Sequence, residues 1–168
     1  MTIETERLTI SNFTLKDAPF FYELVNDPDW LHYIGDRNVK TIEDAKKYLR
    51  ENIIKSYTKN GFGFYIVRLK DTKNPIGTCG LIKRDWMDFV EIGYAFLPKY
   101  RGKGFALEAS VKVKNYAKKT LHIKRLSAIT NIDNDRSGNL LHKLGFLHEK
   151  NIEYPEENKM CKLYLDKE

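Results

Sequence analysis

Three short apolar segments that follow one another between residues 62 and 97 constrain the fold more than any other feature of the sequence. They cover residues 62–69, 76–83 and 89–97 and are rich in β-branched and aromatic side chains, which are typical of strands. The turns between them are short enough to be hairpin connections. The pattern therefore predicts an antiparallel meander of three strands in the middle of the chain.

Helical patterns flank this meander on both sides. Capping-box-like starts at residues 14–17 and 41–44 precede the first two predicted helices, and small or apolar side chains recur at helical spacing over residues 102–120. Strand patterns at residues 7–13 and in the last third of the chain complete the order βααβββαβαββ, which is typical of a mixed α/β fold with a central sheet. The chain has no internal repeat and no composition break, so we expect a single domain over residues 1–168.

The composition excludes several classes of protein. With 42% apolar and 31% charged residues the chain is neither disordered nor collagen-like, and no apolar run approaches the roughly 20 residues of a membrane span. Cys79 and Cys161 are too few for a disulfide framework, and neither they nor the histidines have the spacing of a metal site. The first residues contain no targeting signal, so we expect a cytoplasmic protein with reduced thiols, no metal and no membrane partner.

The net charge of +6 favours an anionic ligand, although solubility alone also explains it. The basic residues are concentrated in the middle of the chain, whereas the N-terminal third is near neutral. This asymmetry indicates a local anionic site rather than a nucleic-acid surface. The aromatic and basic residues are also not interleaved as they are in RNA-binding modules, so no nucleic-acid partner is expected.

A strand, a short basic turn and the start of a helix meet at residues 89–106. Glycines in such a turn remove side chains, so an anion can reach the backbone, and the unpaired amides and dipole of the helix start attract it. The spacing fits neither the Walker A nor the dinucleotide-binding pattern, and taken alone it is equally compatible with an ordinary strand-to-helix connection. The residues of this candidate phosphate-binding turn are Arg101, Gly102, Lys103, Gly104, Phe105 and Ala106.

Two motifs carry a resemblance to a known family. Arg101-x-x-Gly104-x-Ala106 is similar to the R/Q-x-x-G-x-G/A signature of the GCN5-related N-acetyltransferases (GNAT), and residues 134–146 resemble the N-x-x-S…K-L-G-F segment of that family. The opening TERLTI, the EIGY strand and the GKGFALEA helix resemble the branch that acetylates the N-termini of ribosomal proteins (RimJ/RimL-like). The resemblance covers nearly the whole chain. It implies the GNAT fold, with a central, mostly antiparallel sheet of about six or seven strands and one splayed pair.

The same resemblance implies that acetyl-CoA and an amine acceptor are the partners of the protein. In the family, backbone amides of the turn hold the pyrophosphate of acetyl-CoA. The preceding strand splays at the positions of Phe96 and Leu97, where its backbone pairs with the pantetheine arm. An amide there can also stabilise an oxyanion. Asn134 matches a residue that contacts the pantetheine arm, although a helix cap explains it as well.

Two residues are candidates for the chemistry. Glu91 lies in an otherwise apolar strand and is the candidate base that deprotonates the amine; the alternative is an ion-paired or solvent-facing carboxylate. The family position of a tyrosine that protonates the departing thiolate is occupied here by Leu141. Ser137 matches a serine of the ribosomal-protein branch and is the candidate hydrogen-bond donor to the sulfur, unless its hydroxyl is satisfied within its own helix.

The acceptor side is less defined by the sequence. Trp30 and Tyr33 lie in the connection between the first two helices, which walls the substrate pocket in this family, but they are equally compatible with core aromatics. The resemblance thus implies an N-acetyltransferase in which a primary amine, of a protein N-terminus or of a small molecule, attacks acetyl-CoA directly in a ternary complex. The alternative is a non-catalytic module that senses CoA or acyl-CoA. A monomer or a homodimer is expected.

Overall fold

The structure of the chain is a computed structural model that describes residues 1–155 and 157–167. Among these residues eight strands form one sheet in the order β1-β2-β3-β4-β5-β6-β8-β7. All neighbouring strands are antiparallel except β5 and β6, which are parallel. The mixed, mostly antiparallel sheet expected from the sequence is therefore confirmed. The strands are β1 (Thr2–Glu4), β2 (Leu8–Asn12), β3 (Phe64–Leu69), β4 (Pro75–Ile82), β5 (Val90–Phe96), β6 (Leu126–Asn131), β7 (Phe146–Tyr154) and β8 (Lys159–Asp166).

The sheet has one strand more than the sequence pattern predicts. The additional strand, β1, lies at the sheet edge and pairs with β2 through Ile3 opposite Ile10. The Thr5 side chain closes the connection between them, because its hydroxyl oxygen accepts the Leu8 N–H at 2.8 Å. A strand of three residues carries too little alternation to be recognised from the sequence, which explains the difference.

Helices fill the connections between the strands. They are α1 (Ala18–Val25), α2 (Pro28–Tyr33), α3 (Ile42–Tyr48), α4 (Lys55–Asn60), α5 (Phe105–Lys119) and α6 (Asp135–Lys143). The second predicted helix runs from Ile42 to Asn60, but its central turns, Leu49–Ile54, are π-helical. The connection that precedes it begins with the short helix α2, which is capped by the Asp27 carboxylate through the Trp30 N–H at 3.3 Å. Within the part of the chain that the structure describes, every helix is too short or too polar to cross a bilayer.

The β5–β6 pair is the irregular part of the sheet. The two strands pair at only two positions, Val90 opposite Leu126 and Glu91 opposite Ser127. Beyond them β5 remains paired with β4, and β6 with β8, so the two strands diverge toward their C-terminal ends. This divergence is the splayed pair that the family resemblance implies.

Helices cover both faces of the sheet. Ile66 and Val67 are neighbours in β3 but belong to different hydrophobic clusters, because successive side chains of a strand point to opposite faces. Ala109, Val113 and Ala117 form a stripe of small, completely buried side chains at four-residue spacing on α5. This stripe brings α5 close to β4 and β5, so the first turn of α5 lies near the end of β5.

Candidate active site

A cleft of about 1040 Å³ opens where β5 and β6 separate, a volume at the upper end of the usual range for ligand sites. Its walls come from the last residues of β5 and β6, the turn before α5, the first turns of α6, and α2. The candidate binding and catalytic residues of the sequence analysis all line this cleft, with the exceptions of Leu97 and Lys103. Residues far apart in the sequence are thus brought to one site.

The backbone of β5 directs alternate amides toward β4 and toward the cleft. The Leu97 N–H donates to the Ile76 carbonyl of β4 at 3.0 Å. Because the direction of the amides alternates along a strand, those of Tyr94 and Phe96 face the diverging strand β6. Of the two residues expected to offer backbone to the pantetheine arm, Leu97 thus has its N–H paired within the sheet, and Phe96 is the one whose N–H faces the cleft.

The side chain of Arg101 holds the turn in place. Its Nε donates to the Phe96 carbonyl at 2.7 Å, and its terminal nitrogens pair with Asp27 at 2.6 Å and with Asp29 at 2.5 Å. Both carboxylates belong to the start of α2, so Arg101 ties the end of β5 to this helix. The guanidinium has these protein partners already, so the groups of the turn that are left for an anion are its backbone amides.

The two glycines of the turn have a left-handed backbone that leaves it open. Gly102 and Gly104 have φ of +72° and +82°, where other residues are strained. A Cβ at Gly102 would meet no heavy atom within 4 Å, so the turn faces open space. Gly104 directly precedes α5, whose first amides, at Phe105 and Ala106, have no partner within the helix. Bare amides at a helix start fit a diphosphate such as that of acetyl-CoA.

Arg7 is a further basic residue at this turn, which the sequence analysis did not single out. Its guanidinium lies 4.4 Å from the centroid of the Phe105 ring, donates to the Lys103 carbonyl at 3.0 Å and pairs with Glu108 at 2.7 Å. Burial acts to raise the pKa of Glu108, but hydrogen bonds from Thr5 and Arg7 outweigh it and hold that pKa below its ordinary value. No sequence pattern links residues so far apart.

Glu91 lies at the inner end of the cleft, where the pairing of β5 with β6 ends. Its side chain is buried, with 5% of the residue exposed, and it is ion-paired with the Arg84 guanidinium. Arg84 in turn lies 5.7 and 5.1 Å from the ring centroids of Trp86 and Tyr154, which contact each other edge to face. The sequence left open whether the Glu91 carboxylate is ion-paired or faces solvent. In the structure it is ion-paired and forms part of the cleft wall.

Asn134 and Ser137 lie at the start of α6, Asn134 as its cap and Ser137 in its first turn. The Asn134 side-chain oxygen accepts the Ser137 N–H at 3.1 Å, so Asn134 caps the helix and lines the cleft at the same time. The Ser137 hydroxyl is 2.8 Å from the Tyr94 hydroxyl of β5. Burial raises the pKa of Tyr94, and the hydrogen bond with Ser137 offsets only part of this effect. Leu141 is a buried core residue with 1% exposure.

Tyr94 is therefore a cleft residue that the sequence analysis missed. It belongs to the EIGY strand, in which only Glu91 was considered. The alternation of the strand alone cannot indicate that a tyrosine hydroxyl reaches α6, because that contact depends on where the later helix packs.

α2 forms a wall that bridges the two diverging strands. Besides the contacts with Arg101, its His32 carbonyl accepts the Asn131 side-chain amide of β6 at 3.2 Å. Trp30 is 7% exposed and is packed in the hydrophobic core, while Tyr33 is half-buried with its ring 4.5 Å from that of His32. Both aromatics line the cleft, and Trp30 also belongs to the hydrophobic core.

The described residues contain no group of three or more His, Cys, Asp or Glu side chains that could hold a metal ion. Cys79 and Cys161 are buried free thiols. Burial raises the pKa of Cys79 to about 12, so this thiol is protonated at neutral pH and lacks the thiolate that a nucleophile requires.

Comparisons with known proteins agree with this geometry. The model of the family described as "Acetyltransferase (GNAT) domain" matches residues 7–147. The Bacillus subtilis protein named "Uncharacterized N-acetyltransferase YoaA" is 33% identical over 150 residues, which are 88% of this chain and 83% of that protein. The ribosomal protein uS5-alanine N-acetyltransferase of Escherichia coli is 34% identical over 103 residues, 60% of this chain and 53% of that protein.

A solved GNAT-family acetyltransferase from Bacillus anthracis superposes with a TM-score of 0.81 at 28% identity, covering 98% of this chain and 97% of that one. These findings give no support to the alternative of a non-catalytic sensor. The cleft, the open turn and the family match lead to the same conclusion: the chain belongs to the GNAT acetyltransferase family and is an acyltransferase enzyme.

Proposed function

We propose that the chain transfers the acetyl group of acetyl-CoA to a primary amine, by direct attack of the amine within a ternary complex. The observation that carries this proposal is the divergence of β5 from β6 after two residue pairs, with a turn of left-handed glycines following β5. The divergence leaves strand backbone facing the cleft, and the turn offers amides at its end. An elongated ligand with an amide-containing arm and a diphosphate matches both features.

The residues that would hold acetyl-CoA come from both sides of the cleft, from the end of β5 and the start of α6. The Phe96 amide faces the space that the pantetheine arm would occupy, and the Asn134 side chain lines the opposite wall. When bound, acetyl-CoA supplies an acetyl group that is activated as a thioester. The diphosphate is assigned to the turn formed by Gly102, Lys103, Gly104, Phe105 and Ala106.

Glu91 is the proposed acceptor of the proton that the amine must lose. Its carboxyl group lies in the cleft wall, held there by the ion pair with Arg84. An ionised carboxylate can then receive the proton directly or through a water molecule. Ser137 is the proposed hydrogen-bond donor to the sulfur.

Direct attack is proposed rather than a covalent acetyl-enzyme. A covalent route needs an activated nucleophile, and the protonated thiol of Cys79 does not provide one. A cleft of about 1040 Å³ also has room for an acetyl donor together with a small amine-bearing group.

We propose further that the acceptor amine is the N-terminus of a protein, as in the RimJ/RimL-like branch. The support is the match to the Escherichia coli relative, which is named for the alanine of ribosomal protein uS5, together with Ser137 and the TERLTI opening. Trp30 and Tyr33 are proposed as the wall against which the first residue of the acceptor packs. The competing acceptors are amino acids, polyamines and aminoglycosides.

We also propose that residues 1–168 act as one acetyltransferase domain in the cytoplasm. One sheet includes strands from the beginning and the end of the described chain, and both cysteines are free thiols.

The experiment that tests the function measures release of the CoA thiol by the purified protein with acetyl-CoA and a panel of amines. The panel contains a peptide that starts with alanine, the same peptide with a blocked N-terminus, a free amino acid, spermidine and an aminoglycoside. We expect turnover with the free peptide and none with the blocked one. Turnover only with a small amine would overturn the acceptor assignment, and the absence of both turnover and CoA binding would overturn the proposed function itself.

A further inference from the structure

We propose that Tyr94 positions the hydroxyl of Ser137 toward the departing sulfur of CoA, so that two hydroxyl groups from different elements act together as one hydrogen-bond donor. This inference rests on the proposed function, because it concerns the same cleft. Tyr94 acts through Ser137 and is therefore a positioning residue.

The geometry of the pair carries the inference. Tyr94 lies in β5 and Ser137 is the third residue of α6, and their hydroxyl oxygens are 2.8 Å apart, the usual length of an O–H···O hydrogen bond. The Tyr94 hydroxyl is also 3.2 Å from the Ser137 carbonyl. The Asn134 cap holds the Ser137 backbone from the other side. Both side chains line the cleft, so the hydroxyl pair links β5 to α6 in the cleft wall.

The pair has two possible hydrogen arrangements. In one, the tyrosine donates to the Ser137 carbonyl and accepts the serine proton. In the other, the tyrosine donates to the Ser137 Oγ, which leaves the serine proton free to point into the cleft. Negative charge that develops on a sulfur in the cleft selects the second arrangement, because only this one directs an O–H group at the charge.

Without Tyr94, the Ser137 hydroxyl would donate its hydrogen bond to the backbone of its own helix. A serine hydroxyl near a helix start readily turns to a neighbouring backbone group. With Tyr94 donating to its oxygen, the Ser137 hydroxyl is both held in place and polarised, since hydrogen bonds in a chain strengthen one another. Because burial raises the pKa of Tyr94, the phenol keeps its proton at neutral pH and remains a donor.

In the transfer step, the amine nitrogen forms a bond to the acetyl carbon and the carbon–sulfur bond breaks. The electron pair of that bond stays on sulfur, and the proton of the amine passes to the base or to solvent. Neither Tyr94 nor Ser137 loses a proton. Their contribution is to stabilise the thiolate by hydrogen bonding until it is released.

The first test needs no acceptor, because it measures the pKa of the CoA thiol in the binary complex. The thiolate is followed by its ultraviolet absorbance across a pH series, with the complex of S-methyl-CoA as the background. We expect the thiol to titrate about one pH unit lower in wild type than in Tyr94→Phe or Ser137→Ala, a tenfold difference in its acid dissociation constant. In the double variant we expect the value of Ser137→Ala alone. Tyr116→Phe, a half-buried tyrosine on α5, is the matched control.

The second test separates kcat from KM with the acceptor found in the panel. We expect Tyr94→Phe to lower kcat about tenfold while KM for acetyl-CoA changes less than about twofold, and Ser137→Thr, which retains a hydroxyl, to recover most of the Ser137→Ala loss. Equal thiol pKa values in wild type and Tyr94→Phe, or additive losses in the double variant, would overturn the inference. Failure of the wild type to bind CoA would instead contradict the proposed function and the inference with it.

Discussion

The guanidinium of Arg101 reaches the carboxylate of Asp27 at 2.6 Å, and this contact joins two walls of the cleft. Asp27 caps α2 through the Trp30 N–H, while the Nε of the same arginine donates to the Phe96 carbonyl at the end of β5. One side chain therefore fixes the candidate phosphate-binding turn relative to α2. The arginine of the family signature has a structural role in this chain.

Removing that guanidinium should affect both stability and ligand binding. In Arg101→Gln, the carboxylate of Asp27, only 6% exposed, loses its partner. Because the guanidinium itself is 20% exposed, we expect a loss of about 2 kcal/mol in the free energy of unfolding, less than for a fully buried pair. The Kd for CoA should rise about tenfold as the turn loses its tie to α2. Chemical denaturation and calorimetric titration measure the two effects.

Lys99→Gln is the matched control for this prediction. It removes a positive charge from the same connection, but the Lys99 side chain is exposed and lies 5.2 Å from the centroid of the Tyr100 ring. We expect a change of less than about 0.5 kcal/mol in unfolding free energy. Wild-type CoA affinity in Arg101→Gln would refute the idea that this tie positions the turn.

A side chain at Gly104 should weaken CoA binding beyond its effect on stability. With φ of +82°, alanine at this position is strained by about 1 kcal/mol, and its methyl group would lie beside the first amides of α5, 3.3 Å from an Arg7 nitrogen. Gly61→Ala is a close control, because Gly61 has φ of +77° with open space around it and ends α4. We expect similar losses of stability in the two variants but a raised Kd for CoA only in Gly104→Ala. Equal Kd values would contradict the binding role of the turn.

The parts of the site that are contiguous in sequence could be predicted, whereas the contacts between distant residues could not. The turn from Arg101 to Ala106 is visible in the sequence because a strand end, two glycines and a helix start follow one another directly. The meander and α5 were likewise predictable, since periodicity and turn length are local properties. β1 was not, because its three residues show no repeat.

Three pairings at the site depend on packing alone. Arg101 and Asp27 are 74 residues apart, Arg7 and Glu108 are 101 apart, and Tyr94 and Ser137 are 43 apart. Each partner is an ordinary polar residue of its own segment. Only the packing of α2 and α6 near the end of β5, and of the β1–β2 connection against α5, brings them into contact. Single-sequence patterns carry no information about that packing.

Neutralising Glu91 should slow the transfer without affecting CoA binding. Glu91→Gln retains the size of the side chain but cannot receive a proton, so we expect kcat to fall about 100-fold, the lower range for loss of a general base. Thiol release under saturating acetyl-CoA measures this effect, and calorimetry checks that the CoA Kd is unchanged. Glu51→Gln removes an exposed acid that also lines the cleft and should retain near-wild-type kcat. Wild-type turnover in Glu91→Gln would mean that another group accepts the proton of the amine.

The contact between Glu108 and Arg7 should give the protein a specific sensitivity to acid. Hydrogen bonds from Thr5 and Arg7 hold the pKa of Glu108 below its ordinary value of 4.5 despite burial, so the folded state is stabilised by ionisation of this carboxyl. That contribution is complete above pH 4.5 and is lost as the pH falls through the lower pKa of the folded state. We expect Glu108→Gln to lower the free energy of unfolding by about 1 kcal/mol at pH 7, since one face of the pair is open to solvent.

The pH dependence separates this electrostatic effect from a general loss of packing. Urea denaturation at pH 7 and at a pH well below 4.5 measures the free energy of unfolding of wild type and Glu108→Gln. We expect the difference between the two proteins nearly to disappear in acid, because the protonated glutamic acid of wild type is then as uncharged as the glutamine of the variant. Glu149→Gln, at an exposed position of β7, should differ from wild type by less than about 0.5 kcal/mol at both pH values. If Glu108→Gln lowered the free energy of unfolding equally at both pH values, the carboxyl group would stabilise the start of α5 through packing rather than through its charge.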